Sequence, residues 1–158
     1  MFRKMRRFKQ QLSDEECRAI LKAEPRGVLA VSGDDGYPYA LPISHYYDEE
    51  ANKLYFHGAK AGHKLDAIRR SDKVSFCVYD KGFVREGEWA LNIKSVIVFG
   101  RLRPVTDPEK TEEICRRLGN KFYPDPESVE KEIERDLSRV LCLELEIEHM
   151  TGKLVNES

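Results

Sequence analysis

The chain has 158 residues, of which 41% are hydrophobic and 35% charged, and its formal net charge is -1. That length suits one domain with a sizeable core, and the charge balance gives no electrostatic reason to expect nucleic acid as a partner. No apolar run approaches the roughly 18 residues of a membrane-spanning helix, so no membrane span is expected.

Residues 1–12 form a basic arm, with Arg3, Lys4, Arg6, Arg7 and Lys9. No apolar stretch follows those charges, so the arm reads as a solvated or subunit-packing tail and not as a secretory signal. Ser13-Asp14-Glu15-Glu16 has the form of a capping box, and the helix it starts carries Cys17, Ile20 and Leu21 on one face before stopping at Pro25. Six strands are then predicted. Gly27 to Ser32 is nearly continuous in apolar residues, and Gly33 to Gly36 supplies a turn. The second strand, Tyr37 to Tyr47, contains Pro38 and Pro42, which suggests an edge, a bulge or a ligand-facing break. Lys53 to His57 is the third strand and Val74 to Tyr79 the fourth. The fifth runs through Val96 to Leu102 and starts as early as Trp89.

Thr106-Asp107-Pro108-Glu109 opens another helix, with Thr106 as its cap and Ile114 and Leu118 facing inward. A second helical stretch after Pro126 spaces Val129, Ile133 and Leu137 along one face. In the sixth strand Leu141, Leu143, Leu145 and Ile147 alternate with Cys142, Glu144, Glu146 and Glu148, so one face is buried and the other mostly wet. Six strands with a short helix and a helical excursion give an α+β chain dominated by β. Strands of this number and length favour an antiparallel barrel with peripheral helices, spanning 1–158 as a single domain.

Cys17, Cys77, Cys115 and Cys142 form no C-x-x-C pair and read as structural free thiols, in keeping with a reducing, cytoplasmic location. His57 and His63 match no standard metal-ligand spacing, and no metal is expected. A P-loop, a nucleophile elbow and a dinucleotide-binding G-x-G-x-x-G are all absent. The stretch that carries chemistry is Phe56-His57-Gly58-Ala59-Lys60-Ala61-Gly62-His63-Lys64-Leu65-Asp66. A strand here ends in a glycine-bearing loop with two lysines, which feeds directly into a helix. Backbone N–H groups, the helix dipole and lysine charge then converge on one place, which suits a phosphate. The same residues also fit a solvated helix start shaped by two glycines. Tyr37, Tyr39, Tyr46, Tyr47, Tyr55 and Phe56 fit hairpin packing for about half their number; the others fit the border of a planar ligand.

Five segments, in order, resemble the FMN-binding split-barrel proteins related to pyridoxamine 5'-phosphate oxidase, and within them the Nim-type, 5-nitroimidazole-resistance-like branch. They are Gly27 to Ala30, Gly36 to Ser44, Phe56 to Asp66, Ser95 to Gly100, and His149 to Lys153. The resemblance implies a six-stranded split barrel that pairs into a homodimer with FMN at the subunit interface. It implies that Lys64 meets the FMN phosphate, with His57, Gly62, His63, Ser95 and Val96 nearby. It further implies that Leu41, Pro42 and Ile43 and the strand end Phe56, His57 and Gly58 line the isoalloxazine, and that His63 is the catalytic histidine. The end of the chain, Glu146 to Lys153, departs from the Arg/His-rich ending with which true pyridoxamine phosphate oxidases hold their substrate, so vitamin B6 oxidation is not the expected activity. The expected function is an FMN-dependent oxidoreductase acting on a small planar or nitroaromatic compound. The alternative is a non-catalytic module holding flavin, haem or a deazaflavin for storage, sensing or transfer.

Overall fold

The Ser13 hydroxyl accepts the Glu16 N–H and the Glu16 carboxylate accepts the Ser13 N–H, each at 3.1 Å, so the capping box forms as the sequence predicts. Helix α1 (Asp14–Ala23) follows, with Cys17, Ile20 and Leu21 buried. The computed structural model describes residues 1–157. In chain order come β1 (Arg26–Ser32), β2 (Pro38–Ser44), β3 (Tyr46–Asp48), β4 (Lys53–Ala59), α2 (His63–Arg70), β5 (Lys73–Tyr79), β6 (Phe83–Val84) and β7 (Leu91–Pro104). Helices α3 (Pro108–Phe122) and α4 (Pro126–Asp136) precede the long last strand β8 (Val140–Glu157).

The strands form one curled antiparallel sheet in the order β2-β1-β5-β7-β8-β4-β3, with β6 paired to β7. Leu29, Leu54, Phe56, Phe76, Val78, Val96, Val98, Leu143 and Leu145 fill its concave side, closed at one end by α1 and on another flank by Leu65, Ala67 and Ile68 of α2. The β-dominated α+β barrel class is as expected, but there are eight strands and not six. Two differences account for the count. The predicted second strand breaks at His45 into β2 and β3, which pair with different neighbours, β1 and β4. The two-residue β6 is too short to leave a periodic signal. Strand β7 begins at Leu91, not Trp89, and β8 runs on to Glu157 because the two pair as one long ribbon interrupted by a bulge at Phe99/Gly100. Helix α3 is capped by Asp107, whose carboxylate accepts the Glu109 N–H at 3.1 Å. Pro108 occupies the first helical turn and fixes the cap at the residue before it, leaving Thr106 outside.

His45 marks the corner between β2 and β3. It is fully buried, its Nε2 lies 2.7 Å from the Leu21 carbonyl oxygen, and its ring edge meets Phe76. Lys121, near the end of α3, donates to the carbonyls of His45 (2.6 Å) and Glu24 (2.9 Å), tying α3 to the end of α1 and to this corner. Burial pushes His45 down to about 4 and Lys121 down to about 8.

On the convex side, Ile114 and Leu118 of α3 pack with Tyr55, Val105 and Cys142, forming a second core. The face of β8 that alternation marks as wet is therefore covered where Cys142 lies. Beyond Tyr55, β4 pairs with β8 alone, and β2 pairs with β1 alone. The barrel is split between these two free edges. Among the described residues no helix is long and apolar enough to cross a membrane.

Candidate functional site

The free edge of β4 leads into the loop Lys60–Gly62 and then α2. Gly62 caps α2 with φ of 143°, a backbone conformation that favours glycine, and no side chain caps the helix. The first intrahelical bond is Asp66 N–H to Gly62 O at 3.2 Å, so the amides of His63, Lys64 and Leu65 have no carbonyl of the helix to bond. Lys64 is half-buried and lies over Gly58: a methyl group built on Gly58 would sit 3.0 Å from the Lys64 ammonium nitrogen. Gly58 thus provides the seat for the lysine, and a cation and the positive end of a helix dipole act from the same place. Lys60 is exposed on the same loop.

His63 opens α2. Its ring stacks on Tyr39 of β2 (centroids 4.0 Å apart, planes at 25°), and its Nε2 is 3.7 Å from a carboxylate oxygen of Asp34. Arg70 pairs with the other oxygen of Asp34 at 2.9 Å. The turn after β1 and the ring on β2 therefore fix the orientation of His63 beside the split. In the sequence Asp34 reads only as part of a turn and Tyr39 only as one of a cluster of aromatics; nothing local ties either to His63.

The other predicted residues fall into three groups. Leu41 and Ile43 turn their side chains into the core while Pro42 is exposed, so Leu41 and Ile43 offer a ligand mainly their backbone. Phe56 is wholly buried, edge-on to Phe76, and likewise presents only main chain. His57 points to the opposite face of β4, where it lines a cavity of about 510 Å³ between the sheet and α3–α4, together with Ser44, Cys115, Leu118, Phe122 and Ile133. Its pKa is lowered, chiefly by burial and further by Lys64, with Glu132 opposing. Ser95 pairs with Lys153, near the far end of the 18-residue β8 from Leu141, the partner of Gly58; the neighbouring Val96 is buried in the core. Within one chain Ser95 and Val96 are therefore not brought to the Lys64 loop.

A protein-family model described as pyridoxamine 5'-phosphate oxidase matches residues 13–154, nearly the whole chain. The chain belongs to the pyridoxamine 5'-phosphate oxidase family. Solved structures agree on the fold of this family member. A candidate 5-nitroimidazole antibiotic resistance protein from Bacteroides thetaiotaomicron is 16% identical, with a TM-score of 0.76 over 92% of this chain and 87% of that one. An FAD-binding protein from Mesorhizobium loti is 25% identical, with a TM-score of 0.65 over 92% and 97%. An FAD and haem binding protein from Mycobacterium smegmatis is 22% identical, with a TM-score of 0.75 over 94% and 74%. No curated protein matches the chain by sequence.

The residues present fit a phosphate-bearing flavin. The uncapped α2 amides and the Lys64 ammonium seated over Gly58 are donors suited to a phosphate. The split beside them exposes unpaired strand edges, whose backbone groups suit the polar rim of a flat ring.

Proposed function

We propose that this protein binds FMN, as a homodimer with the flavin at the subunit interface, and acts as an oxidoreductase on small planar or nitroaromatic compounds. The observation that carries the reading is the strand–loop–helix junction at the split, where Lys64 rests on Gly58 beside the open amides of α2. Lys64 and those amides bind the phosphate, and the backbone along 41–43 and 56–58 borders the isoalloxazine. When bound, the flavin supplies hydride and electron transfer. His63, oriented by Tyr39 and Asp34, holds a proton at its imidazole for delivery to the reduced substrate. The chain acts as one domain, and its free thiols suit the cytoplasm.

A second copy is supported by the outward sheet face. Register aligns Pro42, Val28, Cys77, Ile97 and Thr151 in one row and Ala40, Ala30, Ser75, Phe99 and His149 in the next. Small and apolar residues dominate both rows, and Ile97 and Phe99 are each 38% exposed. A dimer across this face gives Ser95 of a second copy a route to the flavin that Ser95 of the same chain lacks.

The test is the bound chromophore. Purified protein is expected to be yellow, to absorb near about 450 nm as oxidised flavin does, and to release a molecule with the mass of FMN. It should then reduce a nitroaromatic or quinone with a nicotinamide donor. A haem spectrum, or released FAD, overturns the FMN assignment. FMN binding without turnover leaves the storage or sensing reading in place of the enzyme.

A further inference from the structure

The cavity between the sheet and α3–α4 holds a pair of thiols that the flavin reading does not use. Cys115 comes from α3 and Cys142 from β8, and their sulfur atoms are 3.7 Å apart. The two differ in access. Cys115 is half-buried and lines the cavity of about 510 Å³, whereas Cys142 is fully buried, with its sulfur 3.7 Å from the Thr111 carbonyl oxygen. We propose that Cys115 and Cys142 are a modification site, a dithiol that a hydroperoxide oxidises to an intramolecular disulfide, with Cys115 as the attacking sulfur and Cys142 as the resolving one.

Three observations assign the roles. Of the pair, only Cys115 lines the cavity, which admits a small oxidant. The contact with Cys142 lowers the pKa of Cys115, while the same contact and burial raise that of Cys142, so the accessible sulfur gives up its proton more readily than the buried one. The sulfurs are already in contact, and a bond of about 2.05 Å requires them to close by less than 2 Å. The other two thiols lack this arrangement. Cys17 is sealed under α1, where burial pushes it up to about 11, and Cys77 sits on the outward face of β5.

The chemistry balances in two steps. The Cys115 thiolate attacks a peroxide oxygen; an S–O bond forms, the O–O bond breaks, and the leaving oxygen takes a proton to depart as water or an alcohol. Cys142 then attacks the Cys115 sulfur; the S–S bond forms, the S–O bond breaks, and the departing hydroxide leaves as water with the Cys142 proton. Two thiols lose two electrons, and the hydroperoxide gains them. The product staples α3 to β8, fixing the helix that walls the cavity containing His57.

The full-length protein, reduced and freed of reductant, is titrated with hydrogen peroxide, then alkylated and mapped by mass spectrometry. Two of the four thiols are expected to disappear with the loss of two hydrogens, in a peptide linking Cys115 to Cys142, and dithiothreitol should restore both. In Cys142→Ser, peroxide should leave a sulfenic acid on Cys115 that dimedone labels; in Cys115→Ser, position 142 should remain unlabelled. Thiol loss at Cys17, a link between chains through Cys77, or over-oxidation of Cys115 without a bond to Cys142 overturns the proposal. The mapping of the unaltered protein decides the matter even where a variant fails to fold.

Discussion

Replacing Lys64 by alanine removes the side-chain cation that rests on Gly58 beside the candidate phosphate position. A hydrogen bond to a charged group contributes about 1.5–3 kcal/mol. Lys64 is half-buried, so water screens part of its charge, and the lower end of that range applies. About 1.5–2 kcal/mol corresponds to roughly 10- to 30-fold weaker FMN binding. The assay is titration of flavin-free protein with FMN, followed by quenching of flavin fluorescence, and repeated with riboflavin, which lacks the phosphate. Lys64→Ala should weaken FMN and leave riboflavin unchanged. Gly58→Ala sharpens the test, because its methyl carbon would press on the lysine at 3.0 Å from Nζ and 3.4 Å from Cε. The lysine end is flexible and can yield, so the fold should tolerate the change while FMN binding weakens. Since Gly58→Ala acts through Lys64, the double variant should bind no worse than Lys64→Ala alone. Equal loss for FMN and riboflavin, or full additivity, refutes the phosphate assignment.

His45 should make the fold acid-sensitive. Its folded pKa, about 4, lies below the ordinary 6.5, so the unfolded chain takes up the proton first. Stability should be flat above the ordinary value and fall as pH drops through that window, by up to about 3 kcal/mol; urea unfolding across the pH range measures the slope, and His45→Asn should flatten it. Gly100→Ala places a methyl group against the Glu146 carbonyl oxygen at the β7–β8 bulge, a backbone contact that cannot yield. Urea unfolding should report a loss of about 1–3 kcal/mol, as for other overpacked sites. Ile97→Glu puts a charge in the middle of the outward apolar rows and should convert a dimer to monomer by sedimentation, with the fold intact by circular dichroism.

Local rules were readable where one residue's chemistry decided the outcome. The Ser13–Glu16 box, the alternation of β8 and the Gly58–Gly62 loop before α2 are all cases in which side chain and backbone interact within a few residues. What the sequence hid depended on distant partners. The chain turns the corner at His45 because Leu21, Phe76 and Lys121 converge there from three other elements. The contact of Cys115 with Cys142 depends on α3 folding back over the convex face of the sheet. One hint was present: a cysteine among glutamates on the wet face of the last strand implies a cover. The strand–loop–helix junction before α2 was legible in the sequence, but Asp34 and Tyr39, which pack beside His63, reach it from β1's turn and from β2.

The split barrel leaves two strand edges unpaired, and an exposed edge is ordinarily a template on which another chain can add a strand. Strand β2 carries Pro38 and Pro42, two positions with no N–H to donate, within a strand of seven residues. A foreign strand pairing with this edge would meet gaps in the ladder at both positions. A flat aromatic ligand needs no continuous ladder and loses little from them. The same two prolines that interrupt the sequence pattern thus make this edge a poor template for a further strand, which guards the chain against aggregation through it.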